Sequence, residues 1–139
     1  MVSRIATCAC AEVRITVEGP PNIVSMCHCL QCQKRTGSTY SVHAYFPRNH
    51  VTIEGTTKAF RRSSDSGRTI QFHFCANCGS TVFWPNPMNP DFVGIPVGVF
   101  ADPAFPQPDV SIFMPHKHPW VVVPEGVPGY EAHSGRTLP

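Results

Sequence analysis

Residues 69–84, TIQFHFCANCGSTVFW, decide how this chain folds. Apolar and polar side chains alternate through the first half of the segment, which is the two-residue period of a half-buried β-strand. Cys75 and Cys78 come next and Gly79 follows them; a Cys-x-x-Cys turn that ends in glycine allows two sulfurs to converge on one ion. Residues 81–84 supply a return strand. The segment therefore predicts a β-hairpin whose turn carries two metal ligands.

Further short extended segments surround this hairpin. Residues 12–18 alternate cleanly, and other strands are predicted at residues 23–26, 41–46, 51–54, 58–62, 92–99, 110–113 and 120–123. Helix is scarce, and its best window is residues 30–36, ended by Gly37 as a C-cap. Fifteen prolines and ten glycines interrupt the chain too often for long helices. The pattern predicts a mainly β fold of short antiparallel sheets with little helix.

The length of the chain bounds its organisation. A chain of 139 residues is the usual size for one hydrophobic core, so a single domain is expected over residues 1–139, with residues 124–139 as a loop and frayed C-terminal tail. The longest apolar stretch, residues 93–101, contains Pro96 and is far shorter than the roughly 18 residues of a membrane span. The first residues lack the apolar core of a signal peptide, so we expect no membrane association and a cytoplasmic location.

The charge of the chain argues against nucleic-acid binding. Eleven Lys and Arg residues face nine Asp and Glu residues, giving a formal net charge of +2. Backbone binding to nucleic acid needs larger basic blocks than the two pairs found here, Lys34-Arg35 and Arg61-Arg62. Each pair is interpreted first as ordinary solvated surface. No nucleic-acid partner is expected, and no sequence feature sets an oligomeric state.

Seven cysteines are the most informative feature of the composition. In a reducing compartment, clustered cysteines are better explained as metal ligands than as disulfides. The two sulfurs of a Cys-x-Cys motif on extended backbone point to the same side and can face one ion. No cysteine stands alone, because the seven fall into three groups: Cys8 with Cys10; Cys27 with Cys29 and Cys32; and Cys75 with Cys78.

Seven thiols cannot close two four-sulfur sites, so one site is incomplete or uses another atom. Cys27, Cys29 and Cys32 lie within six residues and can hold one ion together. The two remaining pairs then close a structural four-thiolate zinc site over a long sequence separation. Spacing leaves a second partition open, in which Cys75 and Cys78 complete a site with part of the triplet. Buried free thiols are the alternative to metal at the four-cysteine set.

Three protein ligands and one open position is the pattern that separates catalytic zinc from structural zinc. Two alternatives compete with an open site: His28, His73 or another side chain fills the position, or the triplet is metal-free and redox-labile. Three thiolates outweigh the charge of the ion, so a bound water is polarised too weakly for a metallohydrolase. Thiolate-rich zinc is suited instead to holding an incoming thiol deprotonated. The open site therefore predicts a reaction at a carbon–sulfur bond.

Several motifs together resemble a known family. They are Cys8-Ala9-Cys10, Glu18-Gly19-Pro20-Pro21, Cys27-His28-Cys29-Leu30-Gln31-Cys32, Phe74-Cys75-Ala76-Asn77-Cys78-Gly79-Ser80, Phe83-Trp84 and Lys117-His118-Pro119-Trp120. In this order they resemble the glutathione-dependent formaldehyde-activating enzyme and centromere protein V family over nearly the whole chain.

The resemblance implies a β-tent zinc-binding domain with two zinc ions per chain. By resemblance, the structural zinc is held by Cys8, Cys10, Cys75 and Cys78, and the catalytic zinc by Cys27, Cys29 and Cys32. It also implies a carbon–sulfur lyase that joins glutathione to formaldehyde or another small aldehyde, or releases it. Three positions depart from the family pattern: Thr7 and Ala11 replace glycines that commonly flank the first Cys-x-Cys, and Ser111 stands where a histidine is often found.

A few other polar residues are candidates for the site. Lys34 and Arg35 follow the triplet closely enough to attract the carboxylates of a small thiol such as glutathione, with a surface role as the alternative. His28 is expected to face solvent or to support the ligands, and His73 to be structural. Two other classes of function stay open: a non-catalytic zinc-stabilised module that binds a protein partner, and a redox-sensing thiol cluster.

Overall fold

The computed structural model describes residues 1–64 and 67–134. Within them the chain forms ten strands and one α-helix. The strands are β1 Ser3–Thr7, β2 Arg14–Glu18, β3 Ile23–Cys27, β4 Ser41–Pro47, β5 Val51–Glu54, β6 Thr57–Ser63, β7 Thr69–Cys75, β8 Thr81–Pro85, β9 Phe92–Pro96 and β10 Val110–Ile112, and the helix is α1 Leu30–Thr36. The prediction of a mainly β fold with little helix is confirmed.

The strands form two open sheets. The smaller has the order β1-β2-β5, and the larger has the order β10-β3-β4-β9-β8-β7-β6. The predicted hairpin is present as β7 and β8, with His73 opposite Phe83. Every neighbouring pair is antiparallel except the edge strand β10 and β3, which run parallel with Ser111 opposite Met26. The expected antiparallel arrangement is therefore correct for all pairs but this one.

The main hydrophobic core joins the two sheets. Ile15 and Val17 of β2 are buried in one cluster with Ala44 and Phe46 of β4 and with Ile95 of β9. Alternation along each strand turns these side chains inward. Removing their apolar surface from water is the dominant favourable contribution to folding.

Strand β3 is buried on both faces and separates the main core from a second cluster. Val24 points to one face and belongs to the main core. Ile23 and Cys27, which are four residues apart, share the opposite face and belong to the second cluster. Val110 of β10 and Cys32 of α1 complete this second cluster. The cysteine triplet is therefore anchored on the side of the large sheet that faces away from the small sheet.

Helix α1 has the bounds that the sequence predicts. Cys29 is its N-cap, and the Cys29 Sγ accepts a hydrogen bond from the backbone N–H of Cys32 at 3.2 Å. Gly37 closes the helix in the left-handed conformation, with φ of 69° and its N–H bonded to the Gln33 carbonyl at 2.9 Å. This C-cap is the one predicted, because glycine adopts positive φ without a Cβ penalty.

Three elements differ from the sequence expectation. Strand β1 was not expected, because its Ile5 points outward and is 46% exposed while the small Ala6 points into the core, so no apolar alternation is visible. Strand β9 ends at Pro96, and Val97–Phe100 forms a 3₁₀ turn in place of the predicted strand end. Residues 120–123 contain no strand.

The last described part of the chain has little regular structure. Residues 124–134 contain neither helix nor strand beyond one isolated bridge, which joins Gly129 to Ser111. The predicted loop and frayed tail cover residues 124–139, of which residues 135–139 lie outside the described residues. Among the helices described here, none has the length and apolar character needed to cross a membrane.

Candidate metal centres

Four sulfurs from opposite ends of the sequence meet in one group. Cys8 and Cys10 lie in the loop after β1, Cys75 ends β7, and Cys78 lies in the turn before β8. All four Sγ atoms are within 4.8 Å of one another. Cys10 Sγ is 3.6 Å from Cys8 Sγ and 3.7 Å from Cys75 Sγ. Four thiolates at Zn–S distances of about 2.3 Å stand about 3.8 Å apart in a tetrahedron, so this group fits a metal ion.

Backbone N–H groups already point at these sulfurs. Val13 donates to Cys8 Sγ at 3.2 Å, and Asn77 and Cys78 donate to Cys75 Sγ at 3.4 and 3.5 Å. Such bonds favour the charged thiolate over the thiol. The turn that presents them needs Gly79, whose φ is 80°.

The other loop achieves the same geometry without glycine. Ala11 has φ of 66°, and its N–H bonds to the Cys8 carbonyl at 3.0 Å. A Cβ at positive φ is sterically unfavourable. Alanine in place of the family's common glycine at position 11 thus leaves the turn intact but strains the backbone of Ala11.

The second group contains three sulfurs. Cys27 ends β3, Cys29 caps α1 and Cys32 lies in its first turn, and their Sγ atoms are all within 4.8 Å of one another. Cys32 Sγ is 3.4 Å from Cys27 Sγ. Within the described residues, no other His, Cys, Asp or Glu ligand atom joins this group. The triplet therefore also fits a metal ion, with three side-chain ligands.

The arrangement resolves the partition that spacing left open. The pair Cys75 and Cys78 lies with Cys8 and Cys10 and not with the triplet. Both groups could hold a metal ion, and all seven thiols are free. Sequence spacing cannot decide this point, because it does not say which distant hairpins come together.

The three sulfurs of the triplet shift one another's pKa in opposite directions. Hydrogen bonds with Cys27 and Cys29 lower the pKa of Cys32 well below its ordinary value. Contacts with Cys29 and Cys32 raise the pKa of Cys27. Contacts among the three sulfurs therefore favour the thiolate at Cys32 and the thiol at Cys27.

A layer of buried aromatic and polar side chains lies beside Cys32. The His43 ring is 5.3 Å from each of the Tyr45 and Trp84 rings, and the Trp84 Nε1–H donates to the Tyr45 hydroxyl at 3.3 Å. Burial lowers the pKa of His43 to about 4 and raises that of Tyr45 to about 12. Both side chains are therefore neutral near pH 7, and Cys32 and Arg35 are groups whose charges act on His43.

Lys34 and Arg35 take different positions on α1. Lys34 is exposed, whereas Arg35 is half-buried with its guanidinium carbon 4.9 Å from the Phe72 ring and 4.8 Å from the Trp84 ring. Both residues line a groove of about 320 Å³ next to β6 and β7. The structure thus brings both predicted substrate-binding residues to one groove.

The second basic pair divides between surface and groove. Arg61 is exposed and donates to Gln71 Oε1 at 2.8 Å, as expected of solvated surface. Arg62 is half-buried, lines the groove, and places its guanidinium carbon 5.3 Å from the Phe72 ring. The sequence signal for this difference is alternation along β6, which puts Phe60 and Arg62 on one face and Arg61 on the other.

His28 is fully buried, so of its two expected roles the solvent-facing one is excluded and the role of supporting the ligands remains. Its Nε2 is 2.8 Å from the Ser111 hydroxyl, and its backbone N–H bonds to the Ile112 carbonyl at 3.1 Å. Edge strand β10 therefore covers it and fixes the loop between two cysteines of the triplet. His73 stacks on Phe83 with ring centroids 4.3 Å apart, in keeping with a structural role.

Comparison with known proteins identifies relatives over most of the chain. The model of a family described as glutathione-dependent formaldehyde-activating enzyme matches residues 3–116. A Penicillium rubens protein is 34% identical over 79 residues, covering 55% of this chain and 40% of that protein. A Halomonas elongata protein is 27% identical over 125 residues, covering 84% of this chain and 78% of that protein. Both carry the provisional name glutathione-dependent formaldehyde-activating enzyme.

The chain thus spans less than half the length of the Penicillium protein. A crystal structure of a Rhodobacter sphaeroides protein matches with a TM-score of 0.55 at 18% identity, covering 91% of this chain and 99% of that chain. At this identity the likeness shows a shared fold.

Proposed function

The chain belongs to the glutathione-dependent formaldehyde-activating enzyme family, and from this premise we propose that it is a zinc-dependent carbon–sulfur lyase-type enzyme. Its proposed substrates are a small thiol, glutathione, and formaldehyde or another small aldehyde. The reaction joins the two or releases one from the other.

One observation carries the proposal: three cysteines form a ligand group with no fourth His, Cys, Asp or Glu ligand atom among the described residues. The two cysteine groups are proposed to hold zinc for different purposes. The group with four ligands holds a structural zinc, at Cys8, Cys10, Cys75 and Cys78. The triplet is the proposed site of the second zinc. When bound there, zinc supplies a soft Lewis acid that keeps an incoming thiol deprotonated.

The atoms of the proposed reaction balance without an oxidant or reductant. The thiol sulfur adds to the carbonyl carbon, a carbon–sulfur bond forms, and the thiol proton ends on the former carbonyl oxygen. The reverse reaction breaks the same bond and restores thiol and aldehyde. Catalysis of this kind needs the reactants held in register more than it needs a strong acid or base.

The chain's own residues supply that positioning. Arg35 is held between Phe72 and Trp84, so its guanidinium has little freedom and can orient a carboxylate of the thiol. Lys34, exposed on the same helix, adds attraction at longer range. Neutral side chains cover the inner side of this site, because His43 is buried and Tyr45 is half-buried against the cluster that contains Cys27 and Cys32.

Cobalt substitution tests the proposal directly. We would load the full chain with Co²⁺, count metal per chain, and titrate glutathione while following the thiolate-to-cobalt absorption. Two ions per chain and a change in this band on adding glutathione are expected.

Other results separate the competing functions. Two bound ions with no spectral response to glutathione would favour a zinc-stabilised binding module. One ion per chain with oxidised triplet thiols would favour a redox sensor. Cys32→Ser serves as the matched variant, because it should remove the glutathione response and leave the four-thiol ion in place.

A further inference from the structure

A basic and aromatic groove lies between α1 and the β6–β7 hairpin, and we call it the α1–β6 groove. Three cations line it: Lys34, Arg35 and Arg62. Three phenylalanines form its apolar surface: Phe60, Phe72 and Phe74. Its volume of about 320 Å³ is at the lower end of the range for small-molecule sites.

Within the described part of the chain, no carboxylate lines this groove to offset its positive charge. Arg35 and Arg62 both place their guanidinium groups near the Phe72 ring, and Arg35 Nε is buried without a hydrogen-bond partner in the described chain. Arg62 has a hydrogen bond of 3.4 Å to the carbonyl of its neighbour Ser63. Guanidinium groups held without a carboxylate favour an anionic ligand.

The apolar surface of the groove is also incomplete. Phe60 is 60% exposed although it lies directly opposite the buried Phe72 in the β6–β7 pair. Flat aromatic rings stack on such a surface with offset or edge-to-face geometry. A ligand with a flat apolar frame would therefore cover Phe60 while its negative charge meets Arg62 on the same face of β6.

The groove adjoins the cysteine triplet through α1. Arg35 follows Cys32 by three residues, and side chains at this spacing share one helix face. Arg35 therefore joins the groove to the helix that carries Cys32.

From these observations we propose that the β6 side of the α1–β6 groove, Arg62 and Phe60, binds the part of the aldehyde beyond the reacting carbon, and that this part is a carboxylate on a flat, aromatic frame. Lys34 and Arg35, on the α1 side, stay with the carboxylates of the thiol. Formaldehyde has neither feature. The inference deepens the proposed function and rests on it for the reaction, in which the thiol adds to the carbonyl carbon of an aromatic aldehyde and its proton passes to the carbonyl oxygen. The binding itself requires the groove alone.

The test uses 4-formylbenzoate as the probe and benzaldehyde as its uncharged partner, with the zinc-loaded full chain. Binding is followed by calorimetry and by the chemical shift of the indole N–H of Trp84, whose ring lies 4.8 Å from the guanidinium carbon of Arg35. We expect 4-formylbenzoate to bind at least about tenfold more tightly than benzaldehyde, and added salt to reduce this preference.

Two neighbouring arginines provide matched variants. Arg62→Gln should weaken 4-formylbenzoate binding by about tenfold and leave benzaldehyde binding unchanged, since one charge-assisted contact is lost. Arg61→Gln removes the same charge from the other face of β6 and should change neither affinity by more than about twofold. Phe60→Ser should weaken both probes, because it removes the stacking surface.

Two results would overturn the inference: equal affinity for the two probes, or equal losses in the Arg62 and Arg61 variants. An assay of glutathione addition at varied 4-formylbenzoate concentration should rank the variants as binding does. We expect a lower kcat/KM for 4-formylbenzoate in Arg62→Gln and an unchanged value in Arg61→Gln. Failure of the cobalt titration with the binding pattern intact would count against the proposed reaction only. Failure of the binding pattern with a normal cobalt titration would count against the groove only.

Discussion

At the scale of single residues, the presence or absence of a Cβ affects stability at two backbone positions near the sites. Ala11 carries a Cβ at a positive φ of 66° beside the four-thiol group. Gly94 of β9 lacks one where Trp84 and Tyr45 approach most closely. The first position stores strain and the second avoids a clash, so substitutions there should have opposite signs.

Ala11→Gly is expected to stabilise the protein by about 1 kcal/mol, because glycine accepts positive φ without steric cost. The urea unfolding midpoint of the metal-loaded chain measures this effect. Ala9→Gly is the control, since Ala9 does not have positive φ and should lose about 0.5 kcal/mol through the greater freedom of the unfolded chain. A lower midpoint for Ala11→Gly would contradict the strain at this position.

Gly94→Ala should destabilise the protein by about 1–3 kcal/mol through overpacking. A Cβ at this position would lie 2.6 Å from Trp84 Nε1 and 2.9 Å from Tyr45 Cε1. Thermal unfolding and Trp fluorescence would report the change. Gly98→Ala, whose Cβ meets no heavy atom within 4 Å, should stay within about 0.5 kcal/mol of the parent chain; equal losses would show that the close approach is not the cause.

At the scale of secondary-structure elements, β10 holds the triplet loop in place. This short parallel strand buries His28 completely and binds it through the Ser111 hydroxyl at 2.8 Å and the Ile112 carbonyl at 3.1 Å. Gln33 of α1 donates to the His28 carbonyl at 3.0 Å from the other side. The position of His28 between two ligands therefore depends on both elements.

Ser111→Ala should cost about 1–3 kcal/mol, because it leaves a buried imidazole nitrogen without its partner. We also expect faster exchange of the triplet metal, since the loop between Cys27 and Cys29 loses its side-chain attachment. Urea unfolding and competition with a metal chelator measure the two effects. Ser38→Ala changes an exposed serine on the same part of the chain and should alter neither; a neutral Ser111→Ala would mean that the hydroxyl does not hold the loop.

At the scale of the whole molecule, the two thiol groups should contribute very differently to stability. The four-thiol group joins segments 65 residues apart at Cys10 and Cys75, whereas the triplet closes only a short local loop. Cross-linking a longer loop removes more entropy from the unfolded chain. The apparent binding free energy of structural zinc in zinc-finger peptides is roughly 10–16 kcal/mol, which is as much as the whole stability of an ordinary domain.

Metal removal should therefore unfold the chain through the four-thiol group. We expect a chelator at neutral pH to abolish the cooperative thermal transition, and Cys75→Ser to do the same at normal metal concentration. Cys32→Ser, also at a buried cysteine, should keep the transition and lose one metal ion per chain. Circular dichroism melting with metal analysis measures both, and a stable, cooperatively folded Cys75→Ser protein would contradict this division.

Much of the molecule could be predicted from local pattern. Alternation located β7, β8 and most other strands, and helix α1 ends where Gly37 allows a left-handed cap. Strand β1 was not predicted, because its larger apolar residue, Ile5, faces outward and the segment shows no apolar alternation. The place of Arg62 in the groove was not predicted, because Arg61 and Arg62 were interpreted together as a basic pair. Alternation along β6 puts the two side chains on opposite faces.

What the sequence by itself determined was therefore local: the period of each strand, the cap of the helix, and the three groups of thiols. Only the tertiary structure decided that Cys75 and Cys78 join Cys8 and Cys10, that β10 covers His28, and that β6 brings Arg62 to the groove beside Arg35. Periodicity and spacing act between neighbours along the chain. The pairing of distant segments depends instead on which apolar faces bury each other, and this is fixed only when the two sheets pack.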